Sequence, residues 1–161
     1  MKKVFAVITI SIVSAASIFA QNQTPAKKIF AEFQAGPILI HTNQMSGILS
    51  EASATIGINF NPRFSAGLGI STIHFITATP YLYGKVNFAD LEKRSVIPFV
   101  SLNAGYTLNF EDSATPNDRI SIEPKIGLSF YGKKKKSSFI IYAGAHYYTK
   151  VLPTIGIGVG F

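Results

Sequence analysis

The sequence of 161 residues contains no cysteine and no tryptophan, and only 14% of its residues are charged. Without cysteine there is no disulfide framework, no thiolate metal site, no cysteine nucleophile and no lipid-modified N-terminal cysteine. Soluble domains carry roughly 25% charged residues. The low charge, combined with 47% hydrophobic residues, therefore disfavours a disordered tail, an acidic solvating chain and a coiled coil. The length fits one domain.

Long hydrophobic runs are also missing, except near the N-terminus. Two lysines precede an uncharged run over residues 4–16, and Ala20 stands before a polar stretch over 21–28. This order predicts a secretory signal peptide over residues 1–20, because the run is too short for a membrane-spanning helix. Its removal leaves 13 of 15 basic residues against 8 acidic ones, so the formal charge falls from +7 to +5. The stretch 21–28 is predicted to be a short periplasmic tail.

From residue 29 onward, apolar and polar residues alternate with a period of two. In residues 51–60 the even positions hold only Ala, Ile and Phe, while the odd positions hold Glu, Ser, Thr, Gly and Asn. The same alternation recurs over 63–72, 120–131 and 152–161. Strict alternation is typical of a β-strand with one apolar and one polar face. Glycine at every second position also disfavours helices.

About eight strands are predicted once the weaker segments are included. Stretches rich in polar residues, glycine and proline separate them, as expected for turns. The predicted strands cover 29–41, 51–61, 63–74, 80–88, 96–110, 120–131, 138–149 and 152–161.

The two faces of these strands indicate the solvent that each one meets. The apolar face carries no Asp, Glu, Lys or Arg in any predicted strand, and Gly, Ser, Thr and Asn dominate the polar face. A soluble sandwich or lipocalin-like barrel would expose many charged residues instead. Strands of about ten residues, tilted by about 40°, rise roughly 25 Å, the height of the apolar band of an outer-membrane barrel. We therefore predict an all-β fold over residues 29–161, a closed antiparallel up-and-down transmembrane β-barrel.

The last strand carries a resemblance to a known family, because it alternates isoleucine or valine with glycine and ends in Phe161. With the signal peptide and eight amphipathic strands, the chain resembles the small OmpA-like and OmpX-like outer-membrane β-barrel proteins of diderm bacteria. The resemblance implies localisation in the bacterial outer membrane among lipids that include lipopolysaccharide. It also implies that the barrel-assembly machinery reads an assembly signal in the last strand. That signal would comprise Ile155, Ile157, Val159 and Phe161.

Two groups of residues follow from the expected strand directions. If the first strand leaves the periplasm, outward phenylalanines gather near the periplasmic rim, as in an interfacial aromatic girdle. Inside, glutamates and basic residues are expected to pair, because buried charges need partners; a proton or ion path is the alternative. The predicted girdle comprises Phe60, Phe64, Phe88, Phe130, Phe139 and Phe161, and the predicted interior network comprises Glu32, Glu51, Arg63, Lys85, Glu123 and Lys125.

Catalysis would have to come from His41, His74 or His146 with nearby Ser or Glu residues. Their spacing matches neither a nucleophile, base and acid arrangement nor a set of metal ligands. We therefore expect no enzyme activity, catalytic residue, cofactor or metal. The lysine run over 133–136 indicates a solvated turn rather than a nucleic-acid site.

An eight-stranded barrel is filled by its own side chains, so no open pore is expected. The sequence predicts a monomer with a structural, envelope-stabilising or surface-interaction role, the latter through loops over 42–50 and 111–119. Two alternatives stay open: an outer-membrane lipid-modifying enzyme that uses a rim histidine, and a soluble periplasmic ligand-binding barrel.

Overall fold

The computed structural model shows one closed barrel of eight antiparallel strands, in which each strand pairs with its sequence neighbours and the last pairs with the first. The fold class predicted from the sequence is confirmed. The strands are β1 (Ile29–Thr42), β2 (Met45–Asn59), β3 (Phe64–Ile73), β4 (Thr77–Asn87), β5 (Val96–Asn109), β6 (Arg119–Tyr131), β7 (Ser138–Tyr147) and β8 (Val151–Gly160).

The structure describes residues 29–42, 45–74, 76–90, 94–109, 119–133, 136–147 and 151–161. The predicted signal peptide and periplasmic tail lie outside these residues. Within them, no helix is long and apolar enough to cross a membrane.

The barrel has two distinct ends. We call the end where β1 begins and β8 finishes the terminal end; it also carries the β2–β3, β4–β5 and β6–β7 connections. The opposite end carries the other four connections. At the terminal end, Ala31 and Phe161 exchange two backbone hydrogen bonds, of 3.1 and 2.8 Å. The last residue of the chain therefore helps to close the barrel.

The predicted loop over 42–50 is wrong, because most of it is strand. β1 and β2 remain paired as far as Thr42 and Met45. The pairing provides hydrogen-bond partners for backbone N–H and C=O groups that would lack them in a loop. The alternation continues with them: Ile48 lies outward and is 70% exposed. The predicted loop over 111–119 lies outside the described residues except for Arg119, which begins β6.

The barrel is apolar outside and polar inside. Ile56, Leu68 and Ile126 are each more than 60% exposed, whereas the adjacent Thr55 and Lys125 are 6% and 2% exposed. Soluble proteins bury the first kind of residue and expose the second. This inverted arrangement is the one that a hydrocarbon solvent stabilises.

Inward glycines make room for large rings in the lumen. A Cβ atom built on Gly69 would collide with the ring of Tyr81, and one built on Gly156 would collide with Tyr142. Small residues on one strand therefore face bulky residues on the next, which fills the narrow interior. The aromatic side chains buried in the lumen include Phe30, Tyr81, Tyr83, Phe99 and Tyr142.

This packing makes the inward glycines sensitive to a single methyl group. We expect Gly69→Ala to lower the free energy of unfolding by about 1 to 3 kcal/mol, the usual effect of overpacking. Gly84→Ala is the matched control, because Gly84 lies on the exposed face and a Cβ there meets nothing within 4 Å. Urea unfolding of the refolded barrel in detergent micelles measures both. Equal effects at the two positions would contradict this account of the lumen.

Candidate functional site

The first part of the interior network lies near the terminal end, around Glu32. The Lys85 Nζ lies 2.6 Å from Glu32 Oε1, and the Tyr83 hydroxyl donates to Glu32 Oε2 at 2.8 Å. The Lys85 ammonium also lies 4.5 Å from the centre of the Phe99 ring. Because Glu32 and Lys85 are 6% and 3% exposed, their charges interact with each other rather than with bulk water.

The second part lies around Glu123, on β6. The Lys125 Nζ lies 3.0 Å from Glu123 Oε1, and the Asn103 amide donates to Glu123 Oε2 at 2.7 Å. Gln34 joins the two parts: it accepts a hydrogen bond from Lys125 at 3.1 Å and donates one to Glu32 at 3.3 Å. Buried charges on three strands, β1, β4 and β6, are thus linked across the lumen.

The third part lies towards the opposite end and contains Glu51 and His146. One potential ligand atom each from Glu51, Glu123 and His146 lies within 4.8 Å of the other two. The Ser121 hydroxyl lies 3.0 Å from the Nε2 of His146. Neither carboxylate oxygen of Glu51 receives a hydrogen bond from any described donor.

The structure brings together five of the six residues predicted for the network and places Arg63 elsewhere. The Arg63 side chain is 56% exposed and pairs with Asp90 at 3.3 Å outside the lumen. The physical reason is its position directly after Pro62 in the β2–β3 turn, one residue before β3 begins. The prediction that Arg63 lies in the lumen is therefore wrong, because the strand alternation does not hold in this turn.

Several neutral side chains that the sequence did not predict complete the network. Asparagine, glutamine and serine on the polar face give a strand signal, but the alternation does not show which buried charge they meet. Tyr83 belongs to the predicted strand over 80–88, and its ring lies inside the barrel. These neutral residues are Gln34, Tyr83, Asn103 and Ser121. His146, a candidate from the sequence, lies buried beside Ser121.

The phenylalanines predicted to form a girdle all lie next to the terminal end. Phe60 and Phe64 flank the β2–β3 turn, and Phe130 pairs with Phe139 beside the β6–β7 turn, with ring centres 6.5 Å apart. Phe88 follows β4 and Phe161 follows β8. Five of the six phenylalanines are exposed, and Phe64 is half-buried.

The remaining candidate residues are dispersed. His74 is exposed in the β3–β4 turn with a φ of 52°, in the left-handed region, and the side chain of His41 lies outside the described part of the chain. Lys133 and Lys136 are exposed in the β6–β7 turn, while 134–135 are not described. The residues predicted as an assembly signal, Ile155, Ile157, Val159 and Phe161, all point outward and are 42% to 56% exposed.

Comparisons with known proteins agree with this geometry. No family model matches the sequence, and no curated protein matches it. Neisserial surface protein A (NspA) superposes with a TM-score of 0.65 at 11% identity, over 85% of this chain and 98% of that one. The N-terminal β-barrel domain of Pseudomonas aeruginosa OprF gives 0.64 at 17% identity, over 85% and 98%. P. aeruginosa OprG gives 0.55 at 11% identity, over 83% and 96%.

These likenesses define the class of fold. The chain is an eight-stranded barrel of the outer-membrane type, and the resemblance expected from the sequence is confirmed at the level of the fold. Its apolar exterior and its structural neighbours agree with the expected localisation in the bacterial outer membrane.

The pair of Glu32 and Lys85 provides a test of the network. We expect Lys85→Met to lower the free energy of unfolding by about 3 to 5 kcal/mol, because it leaves the Glu32 carboxylate buried without its cation. The double variant Glu32→Gln, Lys85→Met leaves no unpaired charge and should recover much of that loss. Urea unfolding in micelles measures the free energy of unfolding of the wild type and of both variants.

The matched control is Arg63→Met, which breaks the exposed ion pair with Asp90. It should cost less than about 1 kcal/mol, since exposed pairs contribute little. A double variant no more stable than Lys85→Met would contradict the pairing of the two charges.

Proposed function

We propose that this protein is a monomeric outer-membrane barrel with a closed lumen and a structural, envelope-stabilising role, and that it acts neither as a pore nor as an enzyme. One observation carries the proposal: the charged side chains of the lumen are almost inaccessible to water. Glu32, Glu51, Lys85, Glu123 and Lys125 are each between 2% and 6% exposed. A water-filled channel would hydrate such groups, as in large porins.

The outer surface supports residence in the outer membrane. The phenylalanines at the terminal end fit the periplasmic interface, where aromatic rings are commonly enriched. The opposite end would then meet the lipopolysaccharide leaflet, and the exposed Lys133 and Lys136 would face the periplasm. An outward face this apolar also disfavours the soluble periplasmic barrel, because it would expose many large aliphatic side chains to water.

Two connections at the opposite end are short in sequence, which favours a structural role over a large binding surface. β1 and β2 are joined within Thr42 to Met45, and β3 and β4 within Ile73 to Thr77. Such short hairpins present little area to a partner, compared with the surface that a stable protein interface buries.

A conductance measurement tests the closed lumen. We expect the refolded barrel to give no stepwise conductance in planar lipid bilayers, because ions would have to displace a packed and charge-paired interior. Slower gel mobility after boiling establishes that the inserted protein was folded, and a known porin establishes that the bilayer detects channels. Reproducible discrete steps from the folded barrel would refute the proposal.

The last residue allows assembly and stability to be separated. Phe161→Ala removes an exposed side chain but keeps both backbone bonds to Ala31. If the barrel-assembly machinery reads this side chain, folded barrel in outer-membrane fractions should fall several-fold, while refolding in micelles stays unchanged.

Phe88→Ala is the matched control for that experiment, because Phe88 is also at the terminal end and is 63% exposed. Heat-modifiable mobility measures folded protein in both settings. Equal assembly of the two variants in cells, or a failure of Phe161→Ala to refold in micelles, would argue against a sorting role for Phe161.

A further inference from the structure

Three buried side chains meet in the lumen towards the opposite end of the barrel: Glu51 on β2, Glu123 on β6 and His146 on β7. We propose that they bind a divalent transition-metal ion, for which Zn²⁺ is the representative. The three residues are 3%, 2% and 1% exposed, and one potential ligand atom of each lies within 4.8 Å of the others. This site goes beyond the structural role, since a filled barrel does not need a metal to stay closed.

Glu51 is the residue that points to a ligand. Both of its carboxylate oxygens are buried, and no described donor bonds to either of them. The other two buried glutamates, Glu32 and Glu123, each form an ion pair with a lysine and accept a hydrogen bond from a neutral donor. Since a buried carboxylate without a partner is strongly unfavourable, a positively charged partner for Glu51 is expected.

The charge balance of the lumen leads to the same position. The buried groups of the described strands include three carboxylates but only two lysine ammonium groups. Lys85 pairs with Glu32 and Lys125 pairs with Glu123, so Glu51 carries the surplus negative charge. Either a cation or a proton can balance it.

The donor set favours a transition metal over the other cations. Calcium and magnesium prefer oxygen ligands alone, whereas zinc, iron and nickel accept imidazole together with carboxylate. The His146 imidazole beside two carboxylates is such a mixed set. Ligand atoms of one tetrahedral zinc ion lie about 3.4 Å apart, given metal–ligand bonds of about 2.1 Å. Small side-chain rotations are enough to bring the three atoms, now within 4.8 Å of one another, to that spacing.

Neighbouring groups hold two of the three ligands in place. The Ser121 hydroxyl lies 3.0 Å from His146 Nε2, and the Asn103 amide donates to Glu123. Such bonds orient metal ligands and strengthen binding. Lys125 opposes the ion by its charge, but it also contacts Gln34 and lies 4.6 Å from the centre of the Tyr142 ring. It therefore retains partners when Glu123 turns towards the metal.

Zinc titration of the mature barrel tests the proposal. The protein is refolded in micelles without a polyhistidine tag, and Zn²⁺ alone is titrated at neutral pH by calorimetry and by competition with a chromogenic chelator. We expect one ion per barrel. Ser121→Ala should weaken binding by about 10- to 100-fold, as for other groups that orient a metal ligand, and Glu51→Gln should weaken it more.

Two matched variants separate this site from other ways of binding zinc. His74→Ala removes an exposed histidine, and the double variant Glu32→Gln, Lys85→Met removes the other buried ion pair without leaving an unpaired charge; both should leave the affinity unchanged. The proposal is overturned if the wild-type barrel binds no zinc, which would leave a proton as the partner of Glu51. It is also overturned if Glu51→Gln binds zinc as tightly as the wild type.

X-ray absorption at the zinc edge keeps the test decisive even if Glu51→Gln fails to fold. The zinc-loaded wild-type barrel should show a first shell of nitrogen and oxygen with the scattering of one imidazole. A shell without imidazole, or one unchanged in His146→Ala, would place the ion elsewhere and refute the assignment.

Discussion

Closure of the hydrogen-bonded sheet is the constraint on which the rest of this molecule depends. In hydrocarbon, each backbone N–H and C=O must find a partner within the protein, because no water is present to replace it. The ladder between β1 and β8, completed by Ala31 and Phe161, removes the last open edge of the sheet. Once the sheet is closed, alternate residues of each strand point in opposite directions: one set faces lipid and the other fills the lumen.

The narrowness of the lumen then determines its chemistry. Eight strands leave space for side chains but not for a water-filled channel. Glycines therefore face aromatic rings, and each buried charge needs a partner within the protein. The pairs Glu32–Lys85 and Glu123–Lys125 meet that need. Glu51 has no such partner among the described residues. The lumen towards the opposite end therefore differs chemically from the lumen near the terminal end.

The sequence was sufficient for the fold because the alternation runs through every strand. The sequence was less reliable near the strand ends. Arg63 stands at a position where the alternation predicts an inward polar residue, but it belongs to a turn. The polar segment around Ser50 resembles a loop, although it is paired as strand. The grouping of Glu51, Glu123 and His146 could not be predicted from spacing. These residues lie on strands β2, β6 and β7, and only the curvature of the closed sheet places them opposite one another.

The bonds between Ala31 and Phe161 join almost the first residue of the barrel to the last residue of the chain. A growing chain that lacks Phe161 cannot form them, so this contact has to wait until all eight strands are present. Until that moment both flanks of the sheet present unsatisfied amide groups and are prone to pair with other chains. The unclosed sheet therefore has to be kept from contact with other chains until its last strand pairs with its first.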